Sequence, residues 1–107
     1  MPSAPEEQLW IGLVHVTAIR EDVFPPGTIG GYTNALAMAV DRKQFVSVVT
    51  AELRDEGYAA DKFDDVELYE VRISKSSTTP ELRTLAERAE LAGTVELGTF
   101  HIYSSID

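Results

Sequence analysis

Acidic side chains are concentrated in one stretch of the 107-residue chain, and they are the residues best suited to a specific interaction. Residues 52–70 include eight carboxylates and only two basic residues, Arg54 and Lys62, so the stretch has a net charge of −6. Such a field speeds the encounter with a basic partner and weakens as salt is added. We therefore predict a partner-binding surface here, with an ordinary solvated helix end and loop as the alternative.

The predicted contact surface combines six carboxylates with two aromatic rings. The rings belong to Phe24 and Tyr32, which flank a long polar loop and are suitable contact anchors, because aromatic residues with a polar rim supply much of the binding energy of interfaces. The alternative is that these two rings close the end of the hydrophobic core. The carboxylates are those of Asp55, Glu56, Asp61, Asp64, Asp65 and Glu67.

The only histidines, His15 and His101, both fall on predicted strands. If the first and last strands pair, the two imidazoles lie near each other, and with a carboxylate they could bind zinc or iron or act as a base. The pair lacks the HxH, HxxxH and HExxH spacings typical of such sites. We therefore predict no catalytic residue and no metal ligand, and interpret both as satisfied sheet histidines.

Other motifs give no support for a cofactor. The stretch 61–70 lacks the complete ligand spacing of a calcium loop. The glycines between 27 and 31 precede a predicted strand, whereas a phosphate-binding loop leads into a helix, so turn geometry explains them better. We predict that the protein binds no cofactor.

Composition limits the class of protein. There are 18 acidic and 9 basic residues, for a net charge of −9, and no cysteine. This length corresponds to one domain with a single core. The negative charge argues against nucleic-acid binding, and no apolar run is long enough to span a membrane. The absence of cysteine excludes disulfides and thiolate sites, and it favours a reducing, cytoplasmic location.

Two helices are predicted from local signals. Asp41 and Gln44 have the spacing of a capping box, so a helix should run from Arg42 to about Glu56, with Gly57 at its end. A second helix should begin at Thr79-Pro80 and end at Gly93. Each helix has one apolar stripe for packing against a sheet.

Four strands complete the predicted fold. They cover 9–19, 31–40, 66–73 and 94–103, and a loop covers 20–30. Residues 1–8 form a flexible lead-in, and 9–107 form one domain. The order β-β-α-β-α-β predicts an α+β fold, a two-layer sandwich in which a four-stranded, mostly antiparallel sheet has both helices on one face.

In size, negative charge, lack of cysteine and α/β pattern, the chain is similar to small acidic bacterial immunity proteins. The likeness is one of composition, so no residue role is taken from that family. It implies a cytoplasmic inhibitor that neutralises a basic toxin enzyme. The alternatives are an α+β accessory or small-ligand-binding module that dimerises through a strand edge, and an enzyme that uses His15 or His101.

Overall fold

The computed structural model describes residues 6–19, 23–76 and 78–104. It confirms an α+β fold with an antiparallel sheet. Most of the predicted lead-in, residues 1–5, lies outside the described residues, as do loop residues 20–22, and Gln8 already belongs to the first strand. The elements are β1 (Gln8–Ala18), β2 (Thr28–Ala39), α1 (Arg42–Asp55), β3 (Tyr58–Leu68), α2 (Tyr69–Lys75), α3 (Pro80–Ala92), β4 (Glu96–Leu97) and β5 (His101–Ser104).

The sheet is built around the β1–β2 hairpin. The two strands pair from Gln8–Ala39 to Val16–Gly31. β3 pairs with the outer side of β1, while β4 and β5 share the outer side of β2, and every pairing is antiparallel. β3 and β5 therefore form opposite edges of the sheet.

The capping signals place α1 as predicted. The Asp41 carboxylate accepts a hydrogen bond of 2.8 Å from the Gln44 amide, and the Gln44 side chain accepts one of 2.7 Å from the Val40 amide. Gly57 follows the helix with φ of 97°, a conformation that glycine adopts without steric cost. The buried stripe of α1 consists of Phe45, Val49 and Leu53.

The structure differs from the prediction in the placement of the helices, which cover opposite faces of the sheet. α1 packs on the face that contains Val14 and Ala37, where small side chains on β2 allow close approach. α3 packs on the other face, against Ile11 and Leu36. The physical reason is that β1 and β2 are apolar on both faces, so each face requires a cover.

The predicted third strand, 66–73, is wrong in its position. β3 begins at Tyr58 and ends at Leu68, and the remainder of that stretch forms the short helix α2. Two register shifts interrupt the pairing of β3 with β1. At one of them Asp61 is an extra residue, and at the other Asp65 and Val66 lie opposite the single residue Gly12.

The predicted last strand, 94–103, is broken into β4 and β5. Between them, the Glu81 carboxylate accepts hydrogen bonds from the Thr99 amide at 2.9 Å and from its hydroxyl at 3.0 Å. This contact ties the break to the first turn of α3. α3 itself is as predicted, with Thr79 as its N-cap and Gly93 in the left-handed conformation at its end.

Gly30, which we predicted in the loop, belongs instead to β2 together with Gly31, the predicted start of that strand. A Cβ atom on Gly30 would lie 2.9 Å from the Tyr103 hydroxyl oxygen, and one on Gly31 would lie 3.0 Å from the His101 carbonyl oxygen. β5 therefore packs closely on β2 because both positions lack a side chain. Only Gly27, with φ of 88°, has the turn role that we predicted for this stretch.

Candidate functional site

The predicted acidic surface lies largely along the edge strand β3. In the described part of the chain, β3 pairs with β1 alone, so its outer edge has no strand partner. Asp61, Asp64 and Asp65 all belong to this strand, and the rise of a strand spreads them over about 13 Å. We call these three residues the acidic edge.

The two bulges determine how the acidic edge is presented. Asp61 and Asp65 are both exposed, and each belongs to a bulge. Asp65 has φ of 52°, a left-handed conformation that aspartate tolerates better than most residues do. The bulges therefore leave two carboxylates exposed to solvent on a strand whose other residues are mostly half-buried.

Asp64 is partly neutralised within the sheet. Its Oδ2 lies 3.3 Å from Nε2 of His15 on the neighbouring strand, and its Oδ1 lies 3.6 Å from Nζ of Lys62. The Asp64 side chain is nevertheless about a third exposed. It therefore remains accessible to a partner while contacting both of these side chains.

Glu67 is held within the chain. Its carboxylate accepts from Nε of Arg72 at 2.6 Å and from Nζ of Lys75 at 2.6 Å, and the two cations lower its pKa below the usual 4.5. Arg72 also donates through Nη2 to the Asp65 carbonyl, at 3.0 Å. These contacts join α2 to the end of β3, so a structural role accounts for Glu67 without a partner.

The other predicted acidic residues lie just before β3. Asp55 is the last residue of α1, and Glu56 is its C-cap, whose backbone amide bonds the last turn of the helix. Both side chains are exposed. Only Gly57 separates them from the start of β3, so Asp55 and Glu56 extend the negative surface toward the end of α1.

Of the two predicted aromatic anchors, only Tyr32 is exposed. Phe24 is 9 % exposed and its ring centroid lies 5.3 Å from that of Tyr58, so it closes the end of the core. Tyr32 is 37 % exposed and lies on the α3 face of the sheet, beyond the part that α3 covers.

Tyr32 separates the two histidines. Its ring centroid lies 5.7 Å from that of His15 on β1 and 5.2 Å from that of His101 on β5. β1 and β5 do not pair, because β2 lies between them, and two strand spacings separate the imidazoles by about 10 Å. The two rings cannot share one metal ion. Within the described residues, no cluster of three or more metal-binding side chains is present.

An open cleft of about 290 Å³ lies elsewhere, where the N-terminal end of β1 meets α2 and α3. It combines apolar side chains with three glutamates, so its chemistry suits a cation better than an anion. None of the acidic-edge residues or the histidines lines it. The lining residues are Glu7, Gln8, Leu9, Met38, Leu68, Tyr69, Glu70 and Glu90.

Sequence reasoning missed the position of β3 and therefore its role as an edge. A signal was present in the apolar residues, which are spaced by two, three, three and two positions rather than by two throughout. Two single-residue insertions in a strand produce this spacing. The apolar positions are Tyr58, Ala60, Phe63, Val66 and Leu68.

No described helix is long and apolar enough to cross a membrane. Comparison of the chain with family models, curated proteins and solved structures found no match.

Proposed function

We propose that the protein binds and inhibits a partner protein that has a basic surface, and that the acidic edge is the centre of contact. The observation behind this proposal is the presence of three carboxylates on β3, whose outer edge has no strand partner among the described residues; two of the three lie on exposed bulges. Oriented negative charge on one edge accelerates association with a positive partner and fixes its orientation. Asp55 and Glu56 would extend the contact toward the end of α1.

Protection against aggregation is a second role that would explain the charges of the acidic edge. Charged residues and bulges on an edge strand also prevent edge-to-edge aggregation, with no partner involved. That protective role requires charge of either sign, whereas binding to a basic partner requires negative charge. Replacing carboxylates with lysines therefore keeps the protection and removes the complementarity.

The test compares two variants with the same change in net charge. D61K/D64K/D65N reverses the acidic edge and keeps at position 65 a residue that tolerates the left-handed conformation. E6K/E87K/E90Q makes the matched change on exposed residues elsewhere. The tagged wild-type chain captures the partner from native lysate. The partner is then purified by itself, and its affinity for each form of the chain is measured by titration calorimetry.

We expect D61K/D64K/D65N to weaken binding of the captured protein by at least about tenfold, because each lost charge contact costs a fraction of a kcal/mol to about 1 kcal/mol. The control should stay within about threefold of the wild type. Equal affinities for the wild type and D61K/D64K/D65N would show that the acidic edge has only the protective role.

The class of partner that we propose is a basic toxin enzyme, with this chain as its bacterial, cytoplasmic immunity protein. Size, charge and fold class support this assignment, and so does the concentration of charge on one edge. A toxin gene next to the gene for this chain would support it further. Co-expression should then restore growth to cells that produce the captured protein, and D61K/D64K/D65N should not.

On this proposal the protein acts by occupying its partner and not as an enzyme. Inhibition should therefore be stoichiometric, with an end point at one chain per molecule of partner. A titration of partner activity distinguishes the two mechanisms. Substoichiometric amounts that abolish activity over time would indicate catalytic turnover and would contradict inhibition by binding.

A further inference from the structure

The edge of the sheet opposite β3 exposes apolar side chains rather than carboxylates. β5 is a four-residue strand that pairs with β2 alone in the described part of the chain. Three of its residues, His101, Ile102 and Tyr103, are exposed, and Ile102 and Tyr103 are each 46 % exposed. On the adjoining strand, Ile29 and Tyr32 are also among the exposed large hydrophobic residues. We call Ile29, Tyr32, Ile102 and Tyr103 the β5 patch.

The β5 patch lies in a part of the chain without formal charge. No Asp, Glu, Lys or Arg occurs in residues 28–40 or 97–104. In a chain with a net charge of −9, this edge is therefore unusual. The charged residues that protect β3 from edge-to-edge pairing have no counterpart on β5, which also contains no proline.

We infer that the β5 edge binds a second copy of this chain, with the two β5 strands antiparallel across a two-fold axis. A symmetric contact brings each strand against itself, and like charges opposite each other are destabilising. Pairing β3 with a second β3 would bring the acidic edges together. Pairing β5 with β5 brings no Asp, Glu, Lys or Arg of these strands together, and it joins two backbone edges that have no strand partner in the described part of the chain.

The exposed apolar side chains at this edge extend beyond β5 itself. A specific dimer buries about 1,200–2,000 Å² in total, more than four residues of paired backbone provide. Ile29 and Tyr32 lie on β2, the strand that pairs with β5. Tyr32 is paired with His101, and Ile29 lies at the register shift between Thr28 and Gly30, so exposed apolar side chains continue beyond β5. These side chains supply the part of the contact that the short strand does not.

This inference is independent of the proposed function and compatible with it. β3 and β5 are opposite edges, so a dimer through β5 leaves both acidic edges free at the ends of one continuous sheet. Each dimer would then bind two molecules of partner.

The test is the mass of the purified chain in solution, measured by light scattering at increasing concentration. We expect twice the mass of the chain for the wild type. Ile102→Lys should raise the dimer dissociation constant by at least about tenfold, because it places a charge in an apolar contact. The matched control is Leu91→Lys, at a position that is 88 % exposed on α3, and it should leave the mass unchanged.

A second measurement does not depend on how well Ile102→Lys folds. Because the chain has no cysteine, single cysteines can report proximity. Under oxidation, Ile102→Cys should form a covalent dimer much faster than Leu91→Cys does. Three results would each overturn the inference: a wild type with the mass of one chain at millimolar concentration, a dimer that persists in folded Ile102→Lys, or equal cross-linking at the two positions.

Discussion

At the residue scale, the carboxylates of β3 have different environments despite their proximity in sequence. Glu67 contacts two cations, Asp64 contacts His15 and Lys62, and Asp61 is exposed. A run of acids in a sequence does not reveal these differences, because the contacts come from a neighbouring strand and from α2. Glu67 therefore contributes to stability, whereas Asp61 and Asp65 are the residues best placed for a partner.

The lowered pKa of Glu67 gives a prediction about stability in acid. Its folded-state pKa lies below the usual value of 4.5, so its ion pairs stabilise the fold above about pH 4.5. That stabilisation is lost as the pH falls through the folded-state pKa. Glu67→Gln should thus lower the urea midpoint at pH 7 and make the midpoint less dependent on pH below 4.5. Glu70→Gln, at an exposed position in the first turn of α2, should behave like the wild type.

Asp65 gives a second prediction at this scale. With φ of 52°, its backbone conformation costs a residue with an ordinary Cβ atom about 1 kcal/mol. Asp65→Ala should destabilise the chain by about that amount, while Asp65→Gly and Asp65→Asn should be close to neutral. Urea unfolding at pH 7 measures all three. An equal loss in Asp65→Asn would mean that the carboxylate, and not the backbone conformation, is responsible.

At the scale of elements, the division of the two helices between opposite faces has a direct consequence. Leu85 is buried on the α3 face with Ile11 and Leu36, whereas Leu91 on the same helix is exposed. Leu85→Ala should cost about 3 kcal/mol, because it leaves a cavity on that face. Leu91→Ala should cost less than about 0.5 kcal/mol. Thermal unfolding checks the pair, and similar losses would show that α3 does not pack as described.

The elements that could be predicted are those with local signals. α1 and α3 were confirmed because a capping side chain, an apolar stripe and a terminal glycine are all read within one helix. β3 was missed because two bulges disrupt its alternation, and α2 was missed because seven residues give too few turns for a periodic pattern. The second helical layer was missed because the apolar stripe of a helix does not show which face of the sheet that helix covers.

At the scale of the whole molecule, the sheet has two unlike edges. The strand order follows from pairings between distant segments, so no local pattern could show that β3 and β5 lie at opposite edges. The structure thus brings three carboxylates to one edge and an uncharged apolar patch to the other. We propose that the first edge binds a basic partner and the second binds another copy of the chain.

This division predicts how the two interactions respond to salt. Binding of the basic partner should weaken by at least about tenfold between 50 mM and 500 mM NaCl, because screening reduces attraction between exposed charges. Self-association should be unchanged or stronger, since screening reduces repulsion between two chains of like charge. Calorimetry and light scattering measure the two responses. Dissociation of the dimer by salt would show that charged groups hold it together.

Hydrogen exchange of the chain, with and without its captured partner, shows directly whether β3 is the contact. We expect slower exchange of backbone amides in residues 58–68, where β3 presents the acidic edge, and no change in α3. Protection confined to α3, with residues 58–68 exchanging as in the free chain, would contradict the proposed contact.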